Sequence, residues 1–123
     1  MPGLRISEVA KRTQLSVDTL RYYEKIGLIP IPKKNNRGYK EYTESELRYI
    51  TFIVNLKRTD MSLASIKSYI DAYKRGEITD CYQLLERHAK DVEKQIEERQ
   101  SVLQTIHYKL EHFKEIDGGG KKS

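Results

Sequence analysis

The last third of the chain has the most regular alternation of apolar and polar positions. From about residue 80, apolar residues recur every seven positions in two series that lie three residues apart. This heptad spacing predicts a long coiled-coil helix over residues 80–116, interrupted only by a polar residue at position 99. The residues that we expect to line the coiled-coil seam are Leu85, Val92, Ile96, Arg99, Leu103, Ile106, Leu110 and Phe113.

A helix of this length cannot bury its apolar stripe within its own chain. At 1.5 Å per residue it would be roughly 50 Å long, and the pattern of the preceding residues contains no second long helix. A second copy of the chain is the economical partner. The seam therefore predicts a homodimer.

Shorter amphipathic segments fill the first part of the chain. Ser7 is expected to cap one short helix, and Ser16 a second helix that begins at Val17 and stops at Gly27. Two short helices joined by a tight turn form a helix-turn-helix candidate. Two prolines then end any helix, and the aromatic and β-branched segment 39–43 predicts a strand in a hairpin beside the helix-turn-helix, which is a wing.

Two further helices are expected between the wing and the coiled coil. Thr43 and Glu46 have the spacing of a capping box at the start of the third helix. The fourth helix follows a break at Asp60–Ser62 and ends at Gly76. Together these elements predict a mostly α fold with a small β-hairpin wing, in which a winged helix-turn-helix head spans residues 4–76. The coiled-coil dimerisation helix follows over 80–116, and a flexible tail over 117–123.

Composition adds a polyanion partner to this picture. The 123 residues carry 23 Lys+Arg against 18 Asp+Glu, a formal net charge of +5, and residues 1–60 hold the whole excess, with 12 basic and 7 acidic side chains. A basic excess confined to one end points to a polyanion bound there, the alternative being a basic but merely solvated surface. No run of about 18 apolar residues and no secretory signal occur, so we expect a cytoplasmic protein without a membrane partner.

Candidate chemistry beyond charge is sparse. No nucleophile–base pair, phosphate-cradling glycine loop or carboxylate dyad appears, so we expect neither enzymatic activity nor a cofactor. The single cysteine, Cys81, opens the long helix, where it is a candidate thiol sensor of electrophiles or oxidants; a small, partly buried hydrophobe is the alternative. The tail lacks soft ligands and His107 and His112 point apart on a helix, so no metal site is expected.

Five sequence words, in this order, resemble the MerR family of bacterial transcription regulators. The words are Ile6-Ser7-Glu8-Val9-Ala10, Thr19-Leu20-Arg21-Tyr22-Tyr23-Glu24, Gly27-Leu28-Ile29, Arg37-Gly38-Tyr39-Lys40-Glu41-Tyr42 and Met61-Ser62-Leu63. The resemblance implies a winged helix-turn-helix that dimerises through an antiparallel coiled coil. It also implies binding to a palindromic operator in a promoter spacer, which the dimer bends and untwists so that RNA polymerase can use the promoter. The effector is unknown, and a small effector is compatible with the short chain.

The same resemblance implies which side chains meet double-stranded DNA. Arg21 would read the groove or a phosphate, with a surface ion pair as the alternative, and Tyr23 is equally compatible with a core position. Lysine stands at position 34, where arginine is common, and Lys57 would contact a phosphate or remain solvated. The full set of implied DNA contacts is Val17, Asp18, Thr19, Arg21, Tyr22, Tyr23, Lys34, Arg37, Gly38, Tyr39 and Lys57.

Two other classes of protein share parts of this pattern. A coiled-coil interaction protein with a basic head would bind polyanions without sequence preference, and a competitor-DNA titration separates it from a regulator. A winged-helix accessory factor of recombination shares the head but usually lacks the long coil, so the complete seam argues against it.

Overall fold

The structure is a computed structural model that describes residues 3–120, and the side chains of residues 3–117. It is mostly helical with one small antiparallel hairpin, which confirms the expected fold class. In chain order the elements within the described residues are α1 (Ile6–Thr13), α2 (Val17–Lys25), β1 (Lys33–Lys34), β2 (Lys40–Glu41), α3 (Glu44–Arg58), α4 (Leu63–Lys74) and α5 (Ile78–Gly120).

Local capping chemistry sets where most helices begin. Ser16 accepts a hydrogen bond from the backbone N–H of Thr19 at the start of α2, and Thr43 and Glu46 form the complete capping box at the start of α3. Such a cap stabilises a helix by about 1 kcal/mol because it satisfies N–H groups that have no partner within the helix. Both sequence predictions are confirmed.

The prediction that Ser7 caps the first helix is wrong. Arg5 is the N-cap residue of α1, without a side-chain cap bond, and Ser7 lies inside the helix. The reason is a contact distant in sequence: Leu4 and Tyr42 exchange two backbone hydrogen bonds of 2.8 Å. This bridge holds the backbone extended up to Arg5, so the helix begins directly after it.

The wing is shorter than the strand predicted over residues 39–43. Lys33 pairs with Glu41 and Lys34 with Lys40, and Tyr42 continues the ladder only as the bridge to Leu4. The turn between the strands is held by Asn35, whose side-chain oxygen accepts the backbone N–H groups of Arg37 and Tyr39 at 2.8 and 3.0 Å. Gly38 takes a φ of +82°, which favours glycine.

The apolar residues of the head close into one core. Val9 of α1 and Leu20 of α2 are fully buried, whereas Val17 and Ile26 are only half-buried. The other large side chains at the centre are Leu28, Tyr42, Ile50, Ile53 and Ile66. Arg58 donates a hydrogen bond to the carbonyl of Thr13 and so ties α3 to the end of α1.

Helix α5 begins earlier and continues further than the 80–116 expected from the heptads. The chain divides into two compact units within this helix, after Leu84, so its first two turns belong to the head. The helix also runs through residues 117–120, which were expected to be tail. The rest of the expected tail, residues 121–123, lies outside the described residues. Within residues 3–120, no helix combines the length and apolar character needed to cross a bilayer.

The second unit, from Leu85 onward, is the remainder of α5, and its apolar stripe is open within one protomer. Leu85 and Val92 are half-buried, whereas the seam residues beyond them expose between 49% and 61% of their surface. These exposed seam residues are Ile96, Leu103, Ile106, Leu110 and Phe113.

Candidate nucleic-acid interface

Helix α2 has a buried face and an exposed polar face. Leu20 is fully buried and anchors the helix to the head core. One residue later, Arg21 lies exposed, and Tyr22 exposes 53% of its surface. A short helix with one buried anchor and exposed polar residues beside it is the geometry with which a recognition helix enters the major groove.

The other predicted contacts on α2 differ in accessibility. Asp18 is exposed, whereas Val17 and Thr19 are half-buried at the capped end. The Thr19 hydroxyl accepts a hydrogen bond from the Ser16 hydroxyl at 2.9 Å, which holds it at the helix start. Tyr23 is half-buried, with its ring centre 6.2 Å from that of Tyr22, which leaves both interpretations of this residue in place.

The wing presents basic and aromatic side chains to solvent. Lys34 and Arg37 are exposed, and Tyr39 exposes 49% of its surface. Arg5 lies over the ring of Tyr39, with its guanidinium carbon 4.0 Å from the ring centre. This cation–π contact orients the tyrosine and places a further positive charge beside it.

A cleft of about 390 Å³ brings residues of α2 and the wing together. Arg21 from α2 lines it together with Gly38 and Tyr39 from the wing. Arg5 and Lys40 also line the cleft, so three cationic side chains surround a groove that holds one carboxylate, that of Glu24. Such a surface suits the phosphate backbone of a duplex, which is bound through Lys and Arg.

A partly buried hydrogen bond fixes the wing against α2. The Tyr42 hydroxyl, directly after β2, donates to the carboxylate of Glu24 on α2. Burial, and then the hydrogen bond to Glu24, raise the pKa of the Tyr42 phenol well above its ordinary value. The phenol therefore stays protonated and keeps donating at any physiological pH, so α2 and the wing are held in one arrangement.

Of the eleven predicted DNA contacts, three line this cleft and the other eight lie outside it: Val17, Asp18, Thr19, Tyr22, Tyr23, Lys34, Arg37 and Lys57. Lys57 is half-buried late in α3 and does not line it. Cys81 exposes only 7% of its surface, and its sulfur lies 3.9 Å from the carbonyl oxygen of Tyr69. Among the described residues, no three His, Cys, Asp or Glu side chains are grouped as a metal site would need.

Sequence reasoning missed Arg5, which lines the cleft. Arg5 precedes the first family word and carries no local signal beyond its charge, because its partner is 34 residues away. Conversely, Arg12 pairs with Glu8 at 3.0 Å and with Glu44 at 3.6 Å. The charge of Arg12 is therefore engaged by carboxylates of the head and is less available to a polyanion.

Comparison with known proteins gives the chain clear relatives. Two family models match: "MerR HTH family regulatory protein" over residues 4–73 and "MerR, DNA binding" over residues 47–107. The uncharacterised HTH-type transcriptional regulator YyaN of Bacillus subtilis is 34% identical, over 90% of this chain and 91% of that protein. The homolog of the transcriptional regulator ZntR in Haemophilus influenzae is also 34% identical, over 77% of this chain and 72% of that protein.

A solved structure similar to this chain contains DNA. It is the crystal structure of HiNmlR, described as a MerR family regulator lacking the sensor domain, bound to promoter DNA. The similarity has a TM-score of 0.89 at 29% sequence identity and covers 97% of this chain and 92% of that one.

Proposed function

This chain belongs to the MerR family of DNA-binding transcriptional regulators, and from that premise we propose that it acts as a homodimer on a palindromic operator in a promoter spacer. In the proposed complex the dimer bends and untwists the spacer, which gives RNA polymerase access to the promoter. The observation that carries the proposal is the cleft that Arg21 of α2 shares with Tyr39 of the wing. Bending and untwisting a DNA duplex costs several kcal/mol. Protein contacts on both sides of the deformed segment must offset this free energy.

The contacts divide into two roles. Arg21 and Tyr22, exposed on α2, read the groove or its rim, with Val17, Asp18, Thr19 and Tyr23 around them. On the wing and α3, the phosphate backbone is held by Lys34, Arg37, Gly38, Tyr39 and Lys57. We add Arg5 to this set, since it lies against Tyr39 and lines the same cleft.

Dimerisation is supported by the exposed stripe of α5. In an antiparallel pair, each seam residue of one helix would be covered by the partner helix, and the two recognition helices would be held apart at a fixed spacing. Arg99 within the seam is exposed; its stem packs while its charge reaches solvent, which favours one register over others.

The proposal assigns no enzymatic activity, cofactor or metal to the chain, in keeping with relatives that are regulators, and it places the protein in the cytoplasm, where its DNA lies. Cys81 is retained as a candidate thiol sensor, although its burial favours the packing role. A reagent reaches such a thiol only when the structure opens locally.

Selection from a random duplex library tests the proposal against its main rival. A regulator should enrich one palindromic sequence, and its affinity for that sequence should exceed that for bulk DNA by about a thousandfold or more. A basic coiled-coil interaction protein would enrich no sequence, and bulk competitor would remove all of its binding at moderate salt. Circular-permutation mobility of the selected duplex then measures the bend, and an unbent complex would refute the remodelling step.

A further inference from the structure

A second cavity lies in the head, apart from the basic cleft. Its volume is about 540 Å³, and its walls come from the segment after α2, the first turns of α3 and the end of α4. This volume is within the range of pockets that hold small organic molecules, roughly 300–1,000 Å³. Among the residues that the structure describes, Glu24 is the one lining residue that the cavity shares with the basic cleft.

The walls are apolar and aromatic. Leu28 and Ile29 from the segment after α2 and Ile70 of α4 line the cavity. Tyr49 of α3 and Tyr73 of α4 add two rings, with centres 6.1 Å apart and planes tilted by 32°. The cavity therefore offers aromatic surface to a flat apolar group, against which such rings pack well.

The polar groups of the cavity carry net negative charge. Glu24 and Glu46 supply two carboxylates, and Lys74 supplies one ammonium group. Each carboxylate already accepts one hydrogen bond, Glu24 from the Tyr42 hydroxyl and Glu46 from the backbone N–H of Thr43. A carboxylate has about four acceptor positions, so both retain the capacity to bind a donor in the cavity.

We propose that this cavity binds a small organic cation with a flat aromatic body. The carboxylates attract the positive charge, and Tyr49 and Tyr73 in the lining favour a cation over a neutral group of the same shape where the charge lies over a ring face. An anion would meet two carboxylates in a partly desolvated site and is disfavoured. Burial, and then the neighbouring Tyr69 and Tyr73, raise the pKa of Tyr49 to about 12, so this wall remains a neutral phenol at physiological pH.

The cavity also touches the DNA-binding surface through one side chain. Glu24 lines both this cavity and the basic cleft, and it holds Tyr42 beside the wing. A cation bound to Glu24 would thus act on the residue that fixes the wing to α2. Its role as an effector rests on the proposed function, whereas the binding itself does not and is tested without DNA.

Calorimetric titration of the full chain with three matched probes tests the binding. The probes are 1-naphthylmethylammonium, the neutral 1-naphthylmethanol and the anionic 1-naphthylacetate. We expect the ammonium probe to bind about tenfold or more tightly than the alcohol, with the acetate weakest. Equal affinity for the ammonium and the alcohol overturns the cation assignment, and absence of binding by all three at millimolar concentration overturns the site.

Three variants locate the binding. Glu46→Gln removes a cavity charge but keeps a side chain that suits the capping box, and it should reduce the preference for the ammonium probe severalfold. Glu44→Gln removes a charge from the same helix turn outside the cavity, and it should leave the preference for the ammonium probe unchanged. Ser45→Phe fills the cavity and should abolish binding while the circular-dichroism spectrum is retained. Full binding by Ser45→Phe would place the probe elsewhere and refute the proposal.

Discussion

The head and the distal part of α5 satisfy their apolar residues in opposite ways. In the head, Leu20, Ile50 and Ile66 are completely buried within one chain. In the second unit, Leu103 and Ile106 leave 49% of their surface exposed although their spacing is just as regular. A regular spacing of apolar residues thus indicates that one face of a helix will be buried. Whether the same chain or a partner buries that face depends on how many elements of the chain lie beside it.

The largest expected effect comes from breaking the open stripe. Leu103→Glu places a charge in the seam of both copies, and each copy loses about 1.5–3 kcal/mol of burial. Because the interface is symmetric, the two losses combine, and we expect the dimer dissociation constant to rise by roughly a hundredfold to ten-thousandfold. Sedimentation equilibrium measures it. Operator affinity should fall as the dimer dissociates, since one dimer is needed to occupy both half-sites.

Glu97→Gln is the matched control, because it changes an exposed charge on the same helix. It should leave sedimentation and operator binding unchanged. A wild-type chain that sediments as a monomer at micromolar concentration would refute the dimer and, with it, the remodelling of the spacer.

The next effect belongs to the head alone. Arg21→Ala should weaken operator binding by about 1–3 kcal/mol, because an exposed arginine in the cleft contacts a base or a phosphate. Sedimentation of this variant should be that of the wild-type dimer, which separates it from Leu103→Glu. Lys90→Ala, an exposed lysine on α5, serves as the charge-matched control. Equal losses in a mobility-shift titration for the two variants would mean that Arg21 acts only through net charge.

Sequence reasoning reached those features of both units that depend on neighbours in the chain. The caps of Ser16 and Thr43 and the heptads of α5 are local patterns, and the structure contains them. The family words also gave the correct family. The false N-cap at Ser7 has a different cause, since the Leu4–Tyr42 bridge that displaces it joins residues 38 positions apart.

The same distinction applies to the candidate site. Exposure of Arg21 and Tyr22 follows from the helical period once Leu20 is placed in the core. The contact of Arg5 with Tyr39, the bond between Tyr42 and Glu24 and the 540 Å³ cavity all depend on how the wing, α2 and α4 meet. A single sequence carries no local signal for such contacts.

Alkaline pH should destabilise the head, because folding raises the pKa of the Tyr49 phenol. Burial first, and then the nearby tyrosines, raise the pKa of Tyr49 from 10 to about 12 in the folded chain. Its contribution to stability is therefore complete below pH 10, falls as the unfolded chain ionises and is lost above about pH 12. Because partial exposure screens the effect, we expect it to amount to about 1 kcal/mol.

Denaturant melts at pH 9 and pH 11 measure this contribution. Tyr49→Phe should lose less stability between the two pH values than the wild type, whereas Tyr82→Phe, on exposed surface of α5, should behave as the wild type. If Tyr49→Phe loses as much stability as the wild type between pH 9 and pH 11, the Tyr49 phenol of the wild type ionises equally readily in the folded and unfolded states.

Substitutions of Arg5 should have a smaller effect and distinguish two roles of this residue at the wing, orienting Tyr39 and supplying positive charge. Arg5→Ala removes the guanidinium 4.0 Å from the ring of Tyr39, and we expect operator binding to weaken by about 0.5–1 kcal/mol. Arg5→Lys keeps the charge but not the planar stack, so it should recover only part of the loss. Tyr39→Leu removes the ring. If Arg5 acts through Tyr39, Arg5→Ala should reduce operator affinity less in the Tyr39→Leu variant than in the wild type. An undiminished cost there would mean that Arg5 meets DNA independently of Tyr39.

Cys81 tests where the head ends and the exposed part of α5 begins, and its substitution should have the smallest effect. Cys81 belongs to α5 in sequence, but it is buried with the head, beside the carbonyl of Tyr69. Cys81→Ser should therefore leave operator affinity unchanged, and the wild-type thiol should react with a disulfide reagent at least about tenfold more slowly in native than in unfolded protein, because reaction needs local opening. A thiol that reacts equally fast in both states would show that the first turns of α5 are open like the distal stripe. Loss of induction by electrophiles in Cys81→Ser reporter strains would instead assign it a sensing role, since packing alone gives no such loss.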